Sequence, residues 1–231
     1  MRLRRAKPAA PSSRDLPVLD PPEALSLRSR KKLRTRQQIA DAAALLFAEK
    51  GYDAVTVADV ARLAEVSEQT VYNFFSSKEQ LVLDEDAAFE ARLLAMIRER
   101  PAGTSLADAV RAGAHAFLDD LDRRPTGPHS KGSLPCLINV SPTLRRAWLE
   151  AGDRYADSIA RALIESSKRT LSAPTAKVLG VAIVAVFAVI VDKIGRGMKE
   201  GAKHRTVIQV LRPQIDDAVD RIAPALRSIG A

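Results

Sequence analysis

The sequence predicts an all-α fold in which an N-terminal three-helix helix-turn-helix domain precedes a larger helical domain. Two short helical patterns between residues 56 and 75 are joined by a turn too tight to hold another element. After about residue 35, apolar residues recur at helical spacing in one segment after another. With 231 residues and 46% hydrophobic content, the chain can bury one sizeable core and a small satellite domain.

The first 36 residues carry the whole net charge of +8. They hold eleven lysines or arginines against three acidic residues, whereas the remaining residues balance at 25 of each sign. Five prolines between residues 8 and 22 can neither propagate a helix nor bury much surface, so residues 1–30 are predicted to form a disordered basic extension. The charge is densest in residues 28–36, which we call the basic segment. A solvated, idle tail is the alternative interpretation of this run.

Three helices are predicted after the extension. The first covers residues 35–50, where apolar residues share one face and Gly51 supplies a stop. Thr56 followed by Asp59 is a capping signal for the second helix, and Ser67 can cap the third. From Ser67 onward the apolar residues fall on one face, which leaves a polar face outside. A short polar helix held in this way can enter the major groove of DNA.

Two helices of the larger domain follow directly. The first is predicted over residues 78–100, because Ser77 can cap its start and Pro101 stops it. It joins the two domains, so it is the predicted lever that would tilt the first domain. The next helix runs from about residue 105 to residue 123, and the Pro- and Gly-rich stretch after it predicts a loop.

Two further helical patterns lie near the end of the chain. Ser141 and Pro142 form a cap and first-turn pair that opens one of them. The other begins at about residue 206. Its internal Pro213 and Pro224 are expected to break or kink it.

Residues 178–191 carry no polar side chain, so the sequence predicts that they are buried on all sides. Eight of these fourteen residues are Val or Ile, which leaves a strand open on propensity alone, but no second strand-like run exists to pair with it. A membrane span is disfavoured because a helix of this length is about 21 Å long, against roughly 30 Å of hydrocarbon. Lys177 and Asp192 also close both ends. We predict a buried helix, covered by a second copy of the chain.

Composition and motifs argue against an enzyme. The single cysteine, Cys136, excludes an intramolecular disulfide and a thiolate metal cluster, and no metal or cofactor is expected. Dinucleotide, P-loop and Gly-x-Ser-x-Gly motifs are missing from the sequence, and its three histidines are far apart. Residues 127–132 superficially suggest a phosphate loop, but their spacing favours a flexible loop. No apolar signal-peptide core follows the N-terminal arginines, which predicts a cytoplasmic protein.

Spaced motifs across residues 35–83 resemble the TetR family of transcriptional regulators. They are Ile39-x-x-Ala42-Ala43-x-x-x-Phe47-x-x-x-Gly51-Tyr52, Thr56-x-x-x-Val60-Ala61, Val66-Ser67-x-x-Thr70-x-Tyr72 and Phe75-x-x-Lys78-x-x-Leu81. The resemblance implies a homodimer that binds a palindromic operator in double-stranded DNA. It also implies a repressor that a small-molecule effector releases from that DNA, with residues 31–77 as the DNA-binding domain and residues 78–231 as the effector-binding and dimerisation domain. Glu65 departs from the pattern, since the family usually has Gly there, and we expect a slightly strained turn.

The family pattern, carried over position by position, assigns DNA contacts to the third helix. Gln69 and Asn73 would approach bases, since amides pair with the adenine edge, and Glu68 could accept from cytosine. No Lys or Arg lies between residues 67 and 77, so the basic segment is predicted to supply much of the electrostatic affinity. The basic segment alone would also allow a non-specific architectural DNA binder. The predicted DNA contacts are Arg28, Arg30, Lys31, Lys32, Arg34, Arg36, Thr56, Ser67, Glu68, Gln69, Thr70, Tyr72, Asn73 and Lys78.

The candidate effector pocket is a mostly apolar set of residues in the second domain. These residues are Phe89, Leu93, Met96, His115, Phe117, Trp148, Tyr155, Ile183 and Phe187. The set predicts a mainly apolar effector, which could be aromatic. Most of its members would also serve as ordinary core. His115 lies one position off an apolar stripe, which favours a structural histidine over a ligand-binding one.

Overall fold

The computed structural model describes residues 26–83, 86–123, 133–167 and 171–227, and these ranges contain helices and no strand. The predicted all-α fold is therefore confirmed. The predicted loop at residues 127–132 and most of the predicted extension lie outside the described residues. The helices are α1 (Leu27–Lys50), α2 (Val57–Leu63), α3 (Glu68–Phe74), α4 (Asp86–Arg98), α5 (Leu106–Arg123), α6 (Leu134–Leu137), α7 (Pro142–Ser166), α8 (Ala173–Lys199) and α9 (His204–Arg227).

The chain divides into two compact units, residues 1–35 and residues 36–231. The predicted boundary at residue 77 is thus a functional division inside the second unit, and it stays a prediction. The described part of the first unit is helical from Leu27, so the prediction that residues 27–30 are disordered was wrong. The reason is local: residues 27–36 are mostly Leu, Arg and Lys, which favour helix, and the Ser26 hydroxyl accepts the Ser29 backbone N–H at 3.2 Å.

The helix predicted to start at Lys78 starts instead at Asp86. A single turn of 3₁₀ helix, Glu79–Leu81, follows α3, and the Ser77 hydroxyl caps only this turn, through the Gln80 N–H at 3.4 Å. The interruption lets Leu81 pack into the core of the first three helices, while Phe89 on α4 packs into the larger core. The predicted lever is therefore two pieces.

α8 is longer than predicted and is not buried on all sides. It covers 27 residues and passes beyond both charged residues that were expected to end it. One face packs in the core, but Val178, Val181 and Val189 are 66%, 48% and 46% exposed within a single chain. The helix is long and apolar enough to cross a membrane by length and composition, yet half of its apolar window is buried in the protein, as in the core helix of a soluble protein.

α9 continues through both of its prolines, contrary to the expectation of a break. Pro213 and Pro224 are both exposed. A proline on the solvent side of a helix removes an N–H bond without distorting the packed face, so α9 keeps its buried stripe of Ile208, Leu211 and Ile215 against the core.

The core of the second unit consists of two clusters. The larger one is built from α4, α5, α7, α8 and α9. The smaller one joins α1, α2 and α3, and it also contains Leu137, Ile138, Leu144 and Val191 from the later helices. Two glycines on α8 permit the closest approaches, since a Cβ on Gly180 would overlap the Ala156 carbonyl and one on Gly195 would overlap the Pro135 carbonyl. The three N-terminal helices are thereby packed directly on the larger helical body.

Candidate nucleic-acid interface and ligand cavity

The start of α2 is fixed by the capping box that the sequence predicted. The Thr56 backbone N–H donates to an Asp59 carboxylate oxygen at 3.0 Å, and the Asp59 N–H donates back to the Thr56 hydroxyl at 3.1 Å. Hydrogen bonds from the Thr56 hydroxyl and backbone hold the pKa of Asp59 down at about 2. Thr56 is exposed, so its hydroxyl lies at the surface while it organises this helix start.

The turn between α2 and α3 is made by Glu65 in the left-handed region, with φ of 53°. The predicted strain at this position is confirmed. Backbone bonds on either side close the turn: the Ala64 N–H donates to the Val60 carbonyl at 2.9 Å, and the Val66 N–H to the Ala61 carbonyl at 3.0 Å. The turn therefore keeps a regular form at some cost in backbone energy.

α3 presents a polar face on a buried base. Its N-cap, Ser67, accepts the Thr70 N–H at 3.0 Å, as predicted. Val71 and Phe75 are each 1% exposed and anchor the helix. The opposite face exposes Glu68, Gln69, Tyr72 and Asn73, while Thr70 is half-buried. The Gln69 amide donates to the Asn73 side-chain oxygen at 3.2 Å, so these two amides already lie side by side.

Two of the predicted DNA contacts hold the far end of α3 in place. The Arg36 guanidinium donates to the Phe74 carbonyl at 2.9 Å and lies 4.5 Å from the centre of the Phe75 ring. Lys78 lies 4.2 Å from the centre of the Tyr52 ring, and burial lowers the pKa of its amine. Sequence reasoning missed the bond from Arg36 to Phe74, because a pairing across 38 residues leaves no local signal.

The remaining residues of the basic segment lie at the start of α1. Arg28, Arg30, Lys31, Lys32 and Arg34 are all exposed, and the first turn of α1 carries no acidic residue. Cations at the amino end of a helix are unfavourable, because the helix dipole is positive there. Anions such as phosphates would relieve this charge, whereas water can only screen it.

A buried hydrogen bond connects the turn after α1 to the later helices. The Ser141 hydroxyl, in a residue 2% exposed, donates to the Asp53 carboxylate at 2.9 Å and accepts the Leu144 N–H at 3.2 Å. Ser141 thus caps α7, as the sequence predicted, and also ties α7 to the base of α2.

A cavity of about 320 Å³ lies between α1 and the larger helical body. α1 contributes Gln37, Ala40, Asp41 and Ala44 to its wall. The opposite wall is aromatic and comes from α4, α5 and α7, and residues 81–83 and 133–135 close the remaining sides. The aromatic and charged lining residues are Asp41, Asp86, Phe89, Arg92, Phe117, Trp148 and Tyr155.

A second cavity of about 300 Å³ lies on the other side of Phe89, Arg92 and Phe117, which line both spaces. The rings of Phe89 and Phe117 are 5.4 Å apart between centres, and both contact Phe187 in the second cavity. The Arg92 guanidinium lies 5.8 Å from the centre of the Phe89 ring. These three side chains form a thin partition between the two cavities.

The predicted pocket residues divide among four locations. Phe89, Phe117, Trp148 and Tyr155 line the first cavity, and Leu93, Met96 and Phe187 line the second with Phe89 and Phe117. Ile183 is fully buried in the core. His115 lies on the wall of neither cavity, so its placement among the pocket residues is corrected.

His115 belongs instead to a polar cluster between α5 and α9. Its Nε2 lies 2.9 Å from Asp216, and its Nδ1 lies 3.4 Å from Arg212. Arg111 pairs with the same Asp216 at 3.2 Å, and these partners lower the pKa of that carboxyl against the opposing effect of burial. The structural interpretation of this histidine accounts for its contacts.

Several cavity residues were missed by sequence reasoning. Gln37 and Asp41 read as the solvent face of α1, and Asp86 and Arg92 as the charged face of α4. Their position in a shared wall depends on how α1 packs against α4, which no local pattern reveals. Among the described residues, no group of three or more His, Cys, Asp or Glu side chains is placed to hold a metal ion.

Comparison with known proteins places the N-terminal part in a recognised family. Residues 39–84 match the profile described as bacterial regulatory proteins, tetR family. The transcriptional regulator TcmR of Streptomyces glaucescens is 36% identical over 97 residues, which is 42% of this chain and 43% of TcmR. The chain therefore spans less than half the length of that curated relative.

Solved structures share the fold over most of the chain. The TetR family repressor AlkX from Dietzia sp. superposes with a TM-score of 0.52 at 22% identity, covering 84% of this chain and 98% of AlkX. The regulator FadR from Bacillus subtilis, in complex with stearoyl-CoA, gives a TM-score of 0.50 at 17% identity, covering 82% and 98%. These identities show a common fold. The class to which all the comparisons point is a transcriptional regulator and not an enzyme.

Proposed function

Because the chain belongs to the TetR family of transcriptional regulators, we propose that it is a sequence-specific repressor that a small-molecule effector releases from a palindromic DNA operator. One observation carries this proposal. The polar face of α3 is exposed on a helix held by two caps, two buried anchors and the bond from Arg36 to Phe74. A rigid helix with a free polar face is what insertion into a major groove requires.

The side chains of α3 divide by chemistry into base and backbone contacts. Gln69 and Asn73 are exposed amides that can read a base edge, and Glu68 can accept from cytosine N4. Ser67, Thr70 and Tyr72 carry hydroxyls suited to phosphate oxygens, as does Thr56 at the start of α2. Arg28, Arg30, Lys31, Lys32 and Arg34 would supply the salt-dependent part of the affinity. Arg36 and Lys78, already engaged by rings and a carbonyl, act mainly by positioning α3.

We further propose that the protein acts as a cytoplasmic homodimer joined through α8. Val178, Val181 and Val189, with Ala185 between them, share one exposed face of this helix. An apolar stripe of this kind is typical of an interface, and a two-fold pair would cover it and present two copies of α3 to two half-sites.

The dimer is tested by placing a charge on this face. Val181→Glu should give a monomer in analytical ultracentrifugation, because a carboxylate would lie opposite an apolar surface. Val210→Glu is the matched control, since Val210 is 55% exposed on α9 and lies away from the stripe. A dimer that persists in the first variant, or is lost in both, contradicts this interface.

The first cavity is the proposed effector site. A ligand there would touch α1 and residues 81–83, which are part of the DNA-binding body or join it to α4. It would release DNA only if it bound the DNA-incompetent arrangement more tightly. The stearoyl-CoA held by the FadR neighbour supports a small-molecule site in this fold. Trp148 is the only tryptophan and lines the cavity, so a change in its fluorescence should accompany effector binding.

The experiment that tests the function is selection of bound fragments from a genomic DNA pool with the purified protein. We expect a few enriched fragments, and footprinting should show a protected inverted repeat with half-site centres about 34 to 36 Å apart or a multiple of that spacing. The alternative, a non-specific architectural binder, predicts equal affinity for random and selected DNA at physiological salt. Uniform affinity, or protection without a dyad, would refute the proposal.

A further inference from the structure

We propose that the first cavity binds an aromatic molecule that donates hydrogen bonds, a polyphenol or an aromatic amine, in preference to an aromatic carboxylate of the same size. This inference rests on the proposed function, since it specifies the chemical class of the effector. It follows from the shape of the cavity, from its aromatic wall and from the direction of the hydrogen bonds among its polar groups.

The aromatic wall favours a flat ring system. Phe89, Phe117, Trp148 and Tyr155 all line the cavity, and the Phe89 ring centre lies 5.4 Å from that of Phe117 and 5.5 Å from that of Tyr155. Inclined rings at these separations offer both faces and edges to a further ring. A volume of about 320 Å³ suits a compact molecule of two or three fused rings.

The polar groups of the wall are mainly acceptors. The Tyr155 hydroxyl donates its only proton to Asp86, so its oxygen can only accept from a ligand. The Gln37 amide donates to Asp41 at 2.9 Å, and Arg154 donates to Asp86 at 3.0 Å. These two carboxylates and the tyrosine oxygen keep lone pairs available, and satisfying them requires a ligand that donates.

The charge of the lining points the same way. Asp41 and Asp86 face one cation, Arg92, whose guanidinium lies near the Phe89 ring on the partition. A ligand carboxylate would meet two like charges in a partly desolvated space, while a neutral donor or an ammonium group would not. Charge complementarity therefore separates the two ligand classes.

Three probes on one skeleton test the proposal: a dihydroxynaphthalene, the corresponding dimethoxynaphthalene and naphthoate. They are titrated into the full-length protein by isothermal calorimetry. We expect the dihydroxy compound to bind on the order of tenfold more tightly than the dimethoxy compound, which has the same skeleton but no donor. Naphthoate should bind most weakly. Equal or tighter binding of either of the other two probes would overturn the donor assignment, as would no heat from any of them.

Variants locate the preference in this cavity. Asp86→Asn and Asp41→Asn should each reduce the preference for the dihydroxy compound several-fold, because each replaces an acceptor pair with a group that also donates. Asp41 is exposed at the rim, so its variant remains informative if Asp86→Asn perturbs folding through the lost bonds to Tyr155 and Arg154. Glu150→Gln, on the exposed side of α7 and outside the cavity wall, is the control and should change nothing. An unchanged preference in both aspartate variants would overturn the proposal.

The outcome for the ligand class is separable from the outcome for the function. DNA binding by the same preparation is measured in a mobility-shift assay with a selected fragment. Specific DNA binding combined with a preference for naphthoate would refute the ligand class and leave the regulator intact. Tight binding of the dihydroxy compound without any DNA preference would refute the regulator instead.

Discussion

Replacing Glu65 by glycine should stabilise the protein. Glu65 has φ of 53°, and a non-glycine residue in this region pays roughly 1–2 kcal/mol, because its Cβ approaches the following carbonyl. Glycine avoids that cost but gives the unfolded chain more freedom, which offsets about 0.4–1 kcal/mol. The Glu65 side chain is exposed, so little packing is lost. The net gain should be about 0.5–1 kcal/mol in the free energy of unfolding.

The assay is urea unfolding followed by far-UV circular dichroism, with thermal unfolding beside it. For a chain of this size the gain corresponds to an increase in Tm of about 1–4 °C. The slope of the urea transition should stay the same, because the buried surface does not change. DNA affinity should also be preserved, since the backbone conformation of the turn is retained.

Glu65→Ala is the control that isolates the Cβ atom. Alanine removes the carboxylate but keeps the Cβ, so its stability should lie within a few tenths of a kcal/mol of the parent. If alanine gives the same gain as glycine, the strain does not come from the backbone. A loss of stability in the glycine variant would refute the reasoning entirely.

Three further predictions concern the DNA face and the pH response. Asn73→Ala should relax preference at one base pair by about 1–3 kcal/mol and leave the salt slope unchanged; a uniform loss on all sequences would mean that Asn73 only supports the backbone. Deletion of residues 1–33 should weaken binding to every sequence and flatten the salt dependence by roughly one unit per lost phosphate contact, and an unchanged slope would show an idle tail. Burial lowers the pKa of His204, so the unfolded chain binds the proton first and stability should fall as pH drops below about 6.5. His204→Gln should lessen that fall in urea unfolding between about pH 7 and 5, and an identical pH profile would contradict it.

Local signals predicted the helix-turn-helix well, because its determinants are local. The capping pair of Thr56 and Asp59 and the cap at Ser67 depend on residues three apart, and both lie where the sequence placed them. The strain at Glu65 was also readable, since a short turn there demands a left-handed residue. The order of the later helices followed from apolar spacing in the same way.

The errors arose where distant packing decides. The start of α4 moved from Lys78 to Asp86 because Leu81 is drawn into the core of the first three helices, a choice invisible in the local pattern. α8 exposes a valine face within one chain, although its composition predicted burial on every side. The cavity was predicted only in part, since four of its aromatic residues were anticipated but its α1 wall was not. Each of these features depends on which helices meet, and the sequence pattern of a single helix does not encode that.

The partition of Phe89, Arg92 and Phe117 has a consequence for how this protein could change over evolutionary time. Only side chains divide the two chambers here, so trimming Phe117 would merge them into a long tunnel without altering any backbone path. Such a descendant could answer to a new and larger signal while its reading head stayed as it was. Adaptation to unfamiliar chemicals would then require few mutational steps, all of them more than thirty residues along the chain from α3 or its turn.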